Sequence, residues 1–171
     1  MTTTRRLTVA DLPEYATLLR QGLSRHPACF RISPEDIEQN TQEAPNVGVT
    51  EQNFTLGAFS NTGALVGIVS FARDTREKMR HKGLLFRMYV AVQVSGQGIG
   101  RQLVRECIAQ ARTLPGLETV TLTVVASNFG ARHLYLSEGF VPFALEPRAL
   151  KMGIAYFDEE QMRLDLTDMT D

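Results

Sequence analysis

The sequence predicts an α/β fold: a mixed, mostly antiparallel central sheet with flanking helices. Three observations predict it. Strand-like runs recur between segments of helical spacing, two early runs are joined by a turn-rich tetrad, and a later strand, helix and strand follow one another closely. The tetrad implies an antiparallel hairpin, whereas the strand-helix-strand unit implies a parallel pair with a right-handed crossover.

In chain order, Arg5 to Val9 reads as a first strand, and Asp11 is a plausible N-cap for a helix with Leu12, Tyr15, Ala16, Leu19 and Leu23 on one face. Ser33-Pro34, with Asp36 close behind, opens a short second helix. Thr41 to Asn53 is polar, contains Pro45 and Gly48, and reads either as a plain connector or as a lid over a substrate. Phe54 to Phe59 and Ala64 to Arg73 are strands flanking the turn Ser60-Asn61-Thr62-Gly63. Leu84 to Val92 is another strand. Ile99, Leu103, Cys107, Ile108 and Ala111 then recur at helical spacing until Pro115-Gly116. Thr119 to Val125 alternates threonine with apolar residues, Asn128 to Glu138 reads as a helix closed by Gly139, and Phe140 to Leu145 and Gln161 to Leu166 finish as strands.

Without an internal repeat or a composition break, a single domain over residues 1–171 is expected. The composition, 43% apolar and 22% charged, is that of a soluble globular chain. A formal charge of -1 provides no global field to draw nucleic acid or an anionic membrane, so neither is an expected partner and any anion site must be local. Cys29 and Cys107 form no paired motif, which fits a reducing, cytoplasmic setting, and no run approaches the ~20 apolar residues of a membrane-spanning helix. His26, His81 and His133 are scattered without metal-ligand spacing, so no metal is expected.

The most informative stretch is Tyr89-Val90-Ala91-Val92-Gln93-Val94-Ser95-Gly96-Gln97-Gly98-Ile99-Gly100-Arg101, a strand passing through a glycine-rich turn into a helix. Such a junction leaves several amide N–H groups unpaired and aimed at one spot, where an anion is favoured by the helix dipole at Ile99 to Arg101. Gly96, Gly98 and Gly100 carry no side chain to obstruct a diphosphate, and Gln97 and Arg101 offer supplementary donors. A structural turn gives the same signature. A Walker loop is disfavoured because Arg101-Gln102 follows Gly100, and the GxGxG spacing departs from the Rossmann fingerprint.

This segment resembles motif A of the GNAT superfamily of N-acetyltransferases, Gln/Arg-x-x-Gly-x-Gly/Ala, with Ser95 standing where Arg or Gln is usual. Asn128-Phe129-Gly130-Ala131-Arg132-His133-Leu134-Tyr135-Leu136-Ser137-Glu138-Gly139-Phe140 is similar to that family's Asn-x-x-Ala-x-x-Leu-Tyr-x-x-x-Gly-Phe helix at every named position. The resemblance covers about Phe54 to Leu166. Its tail, Glu146 to Lys151 and Tyr156 to Met162, is similar to a bacterial subgroup of largely unassigned substrate.

The resemblance implies the GNAT fold, in which the motif A strand and the next strand are parallel but splay apart. It implies acetyl-coenzyme A as cosubstrate, its pyrophosphate held by the Ser95–Arg101 turn and its pantetheine arm lying in the gap between the splayed strands. Met88, Tyr89 and Val90 would line that gap, the Val90 amide would hold the thioester oxygen, and Asn128 and Ala131 would bear on the arm. Tyr135 would be the general acid toward the departing thiolate, and a packed aromatic is the bland alternative. Arg132 or His133 would reach phosphates or lie solvated. The general base is left open among Glu77, Glu118, His81 and ordered water. The implied reaction is direct acetyl transfer to a primary amine in a ternary complex. A small-molecule acceptor is preferred, a protein N-terminus is also allowed, and so is a homodimer. The rival is a coenzyme A-binding sensor or interaction module without catalysis, motivated by Ser95 and the lack of a carboxylate on the motif A strand. Cys107 reads as core, and Arg73 to Lys82 as a solvated hairpin.

Overall fold

A computed structural model describes residues 2–39 and 50–167. Seven strands form one sheet: β1 (Thr3–Arg6), β2 (Asn53–Phe59), β3 (Leu65–Arg73), β4 (Lys82–Val90), β5 (Thr119–Val125), β6 (Val141–Met152) and β7 (Ala155–Asp165), in the spatial order β1-β2-β3-β4-β5-β7-β6. The helices are α1 (Leu12–Arg25), α2 (Pro34–Gln39), α3 (Ile99–Arg112) and α4 (Phe129–Ser137). Every neighbouring pair is antiparallel except β4 with β5, so the sheet is mixed and mostly antiparallel as the sequence predicts.

Two apolar clusters sandwich the sheet. One joins α3 and α4 to β2 to β5 through Leu103, Cys107, Val69, Phe71, Leu122 and Phe140. The other sits under α1, where Tyr15, Leu18, Leu19 and Leu23 meet Ile68 and Tyr89. The strand alternation explains the division, since Ile68 and Val69 are adjacent in β3 and point to opposite faces. At ~25 cal/mol per Å² of buried apolar surface, these two layers are the main stabilising term.

Boundaries differ from the expectations where local hydrogen bonding overrides pattern. The first strand spans Thr3–Arg6 rather than Arg5 to Val9, because Val9–Asp11 is a turn of 3-10 helix. Asp11 does stand at the N-cap of α1, but its carboxylate turns back to accept from the Thr8 amide at 2.7 Å and from Arg5 at 2.7 and 2.8 Å. The fourth strand starts at Lys82 and ends at Val90, since Val94 N–H donates to Ala91 O at 3.1 Å and curls Val92–Val94 into another short turn. The last two strands are longer than expected and form one hairpin around Gly153. In the charged stretch before β4, Arg73 is buried and its Nε donates to Arg80 O, so it is not part of a solvated surface. Most of the lid expectation, Thr41 to Asn53, lies outside the described residues. Among the described residues no helix is long and apolar enough to cross a membrane.

Candidate active site

The parallel pair is joined over three residues only: Lys82 with Thr119, Gly83 with Val120 and Leu84 with Thr121. Beyond that point β4 keeps its pairing with β3 as far as Val90, and β5 keeps its pairing with β7 as far as Val125. Each strand follows its outer partner and leaves its inner neighbour, which opens a wedge in the middle of the sheet. A cavity of about 690 Å³ fills the wedge and passes through the sheet, from the α3 and α4 face to the α1 face.

A bulge in β4 decides which side chains meet which half. Between the pairs Ile68 with Tyr89 and Ser70 with Phe86, β3 has one residue, Val69, and β4 has two, Arg87 and Met88. Arg87 takes φ 51, a left-handed conformation uncommon for a side-chain-bearing residue and typical of bulges and functional strands. The inserted residue shifts the alternation by one. Met88 and Val90 therefore face α3, close to Gly100, whereas Tyr89 packs against Gly22 of α1. The backbone of Val90 has a definite direction too. Ala91 N–H donates to Val66 O at 2.8 Å on the β3 side, and successive amides of an extended strand point to opposite sides, so the Val90 amide faces the wedge.

At the α3 end, Ser95 N–H donates to Val92 O and Gln102 N–H to Gly98 O. Among the described residues the amides between them, from Gly96 to Arg101, make no backbone hydrogen bond. Gly96 and Gly98 have φ 77 and 79, and a Cβ at either would meet nothing within 4 Å. The turn is thus an open concavity of donors at a helix N-terminus, the arrangement that suits a diphosphate. Gly100 packs closely as well, because a Cβ there would lie 3.0 Å from Met88 Cε, which would have to give way.

Of the expected coenzyme-site residues, Met88, Tyr89, Val90, Ser95, Gly96, Gly98, Ile99, Gly100, Arg101, Asn128 and Ala131 line the cavity together with Tyr135. Gln97 does not. The Arg101 side chain is engaged elsewhere, its Nε 3.1 Å from Glu138 Oε1, and with Arg105 on the other carboxylate oxygen at 2.8 Å it ties α3 to the end of α4. Arg132 is likewise held by Glu160 at 2.6 Å, whereas His133 lines the cavity.

Asn128 caps α4, its Oδ1 accepting from Ala131 N–H at 3.2 Å. One turn further on, Tyr135 is buried with its ring edge toward Phe140 at 5.8 Å, and its hydroxyl donates to Met88 Sδ at 3.6 Å. Thioether sulfur is a weak acceptor, so the donor is readily exchanged for a better partner. Burial pushes the phenol well above its ordinary range, with Cys107 beneath it adding to the effect, and holds it protonated.

On the α1 side the cavity is lined by residues that sequence patterns did not single out as site residues: His26, Cys29, Phe30, Phe86 and Thr123. Pro27 ends α1 and folds the chain over the wedge, a local signal for a turn but none for its destination. Burial pushes the Cys29 thiol up, opposed by a hydrogen bond with the Asn128 side chain. Just beyond, Arg31 clasps the buried Glu159 carboxylate with contacts of 3.1, 3.0 and 2.6 Å and fastens this segment to β7. Glu77, His81 and Glu118 do not line the cavity; Glu118 N–H bonds His81 O at the closed end of the wedge. Among the described residues no three His, Cys, Asp or Glu side chains gather as a metal site.

A wedge in a mixed sheet, a glycine turn facing it and a capped Asn/Tyr helix across from that turn define an acyl-coenzyme A transferase architecture. The model of the Acetyltransferase (GNAT) family matches residues 19–140, and the chain belongs to this family of N-acetyltransferases. Solved structures agree. A GNAT-family acetyltransferase from Streptococcus pneumoniae is 27% identical with a TM-score of 0.81, over 96% of this chain and 99% of that one. The ribosomal-protein-S18-alanine N-acetyltransferase of Escherichia coli is similar at 22% identity and TM-score 0.74, over 98% and 95%. The yncA protein of Salmonella typhimurium, solved with its cofactor acetyl-CoA, is similar at 19% identity and TM-score 0.78, over 100% and 97%. At such identities the last two attest the fold.

Proposed function

We propose that residues 1–171 act as one catalytic unit that moves the acetyl group of acetyl-CoA directly to the nitrogen of a primary amine, most readily that of a small molecule. The observation that carries this reading is the cavity crossing the sheet, with the donor turn on one face and an opening on the other. The amides of Gly96 to Arg101 hold the pyrophosphate, and Met88, Val90, Asn128 and Ala131 bear on the pantetheine arm in the wedge. Bound there, acetyl-CoA supplies an activated acyl group. The Val90 amide polarises the thioester carbonyl, the amine attacks from the α1 side, the C–S bond breaks, and Tyr135 gives its proton to the departing thiolate. The amine's own surplus proton leaves through solvent at the α1-side mouth. No covalent intermediate on the protein is needed.

The test is thiol release from acetyl-CoA with a panel of primary amines, together with Tyr135→Phe. The expected result is turnover with at least one amine, lowered ~10²-fold or more in Tyr135→Phe with coenzyme affinity within about twofold. Unchanged turnover in the variant would remove the acid role. A coenzyme-binding sensor is the second reading, favoured by the lack of any carboxylate among the described residues lining the cavity. Tight coenzyme binding with background turnover for every amine would select it.

A further inference from the structure

The acceptor side of the cavity has a chemistry of its own. Its walls include Phe30, Phe86, Tyr89 and His26, together with Thr123 and Cys29. Three of these rings form a cluster: His26 and Phe30 stand 6.2 and 6.5 Å from Tyr89, tilted by 54° and 64°. The β4 bulge creates it, because the register shift turns Phe86 and Tyr89 together to the α1 face. Tyr89 is fixed there, with its ring so close to α1 that a Cβ on Gly22 would lie 2.9 Å from Cγ.

The charges around it narrow what such a recess accepts. Arg87, on the β4 bulge, also lines the cavity, its guanidinium carbon 5.6 Å from the centre of the Phe86 ring. No Asp or Glu among the described residues lines the cavity, and the nearby Glu159 is already bound by Arg31. A second ammonium on the acceptor would thus be desolvated without a carboxylate to offset it, whereas an apolar body would be at home. The same environment favours the neutral, nucleophilic form of the reacting amine.

We propose that the acceptor is a compact primary amine with an aromatic or large apolar body and no second positive charge. This assignment rests on the transferase reading above and specifies its substrate class. Polyamines and aminoglycosides are excluded by it.

The experiment compares phenethylamine, spermidine and kanamycin as acceptors by thiol release at saturating acetyl-CoA, with acetyl-CoA binding measured calorimetrically on the same protein. Phenethylamine should exceed the other two in kcat/KM by about tenfold or more. Preference for spermidine or kanamycin would overturn the substrate class, as would failure to turn over phenethylamine. In either case turnover of another primary amine leaves the transferase reading standing; acetyl-CoA binding with background turnover for every amine selects the sensor instead, and failure of acetyl-CoA to bind removes the transferase reading as well.

Discussion

Cys107 and Tyr135 are neighbours under the wedge, and both are held neutral by burial. Cys107 is fully buried on α3, where desolvation, with Glu106 adding, pushes its thiol from 9.0 up to about 12. The thiol therefore packs as a small apolar group and is no nucleophile. A raised pKa in the folded state fixes the sign of the pH dependence. Stability is fully present below the unfolded value and is lost as pH rises from about 9 toward 12, because the unfolded chain ionises first. Urea midpoints should hide this effect near neutrality and fall above about pH 9. Cys107→Ala, less stable overall for its lost packing, should fall less steeply over that interval. Equal slopes for the two proteins would mean that the thiol is not the titrating group.

At the scale of elements, the wedge depends on its closed end. Gly83 lies where β4 and β5 still pair, and a Cβ there would sit 2.4 Å from Cε2 and Cζ of Phe71, a ring in the middle of the core. Gly83→Ala should destabilise the protein by about 1–3 kcal/mol in urea titration through overpacking; a change below ~0.5 kcal/mol would show that Phe71 can move aside and that the closed end is soft. Elements with strong local signals were legible in the sequence. Thr119–Val125 has the bounds its alternation predicts, and α4 begins and ends at the cap Asn128 and the φ 91 glycine Gly139. The glycine turn was legible for the same reason, since its chemistry resides in consecutive residues. The full length of β6 was not, because an edge strand interrupted by Pro147 and a left-handed Arg148 need not show an apolar stripe. Nor was the bulge at Arg87, which no residue type announces and which determines that Met88 faces α3 and Tyr89 faces α1. The α1-side recess was illegible for a third reason: His26 and Phe30 meet Tyr89 and Thr123 only through tertiary packing.

At the scale of the whole molecule, outer strands hold β4 and β5 apart, helices cap both faces, and the wedge between them joins a donor turn to an aromatic recess. Binding of acetyl-CoA by that turn is the premise on which every later step depends. Gly98→Glu would set a carboxylate among the unpaired amides, and Gly63→Glu is the matched control: its φ of 84 is close to the 79 of Gly98, its Cβ is equally free of neighbours, and it lies in the remote hairpin turn. The deciding measurement is calorimetric titration of the three proteins with acetyl-CoA. The account predicts saturable binding by the native protein and by Gly63→Glu, and its loss in Gly98→Glu. Absence of binding to the native protein, or native affinity in Gly98→Glu, would contradict it.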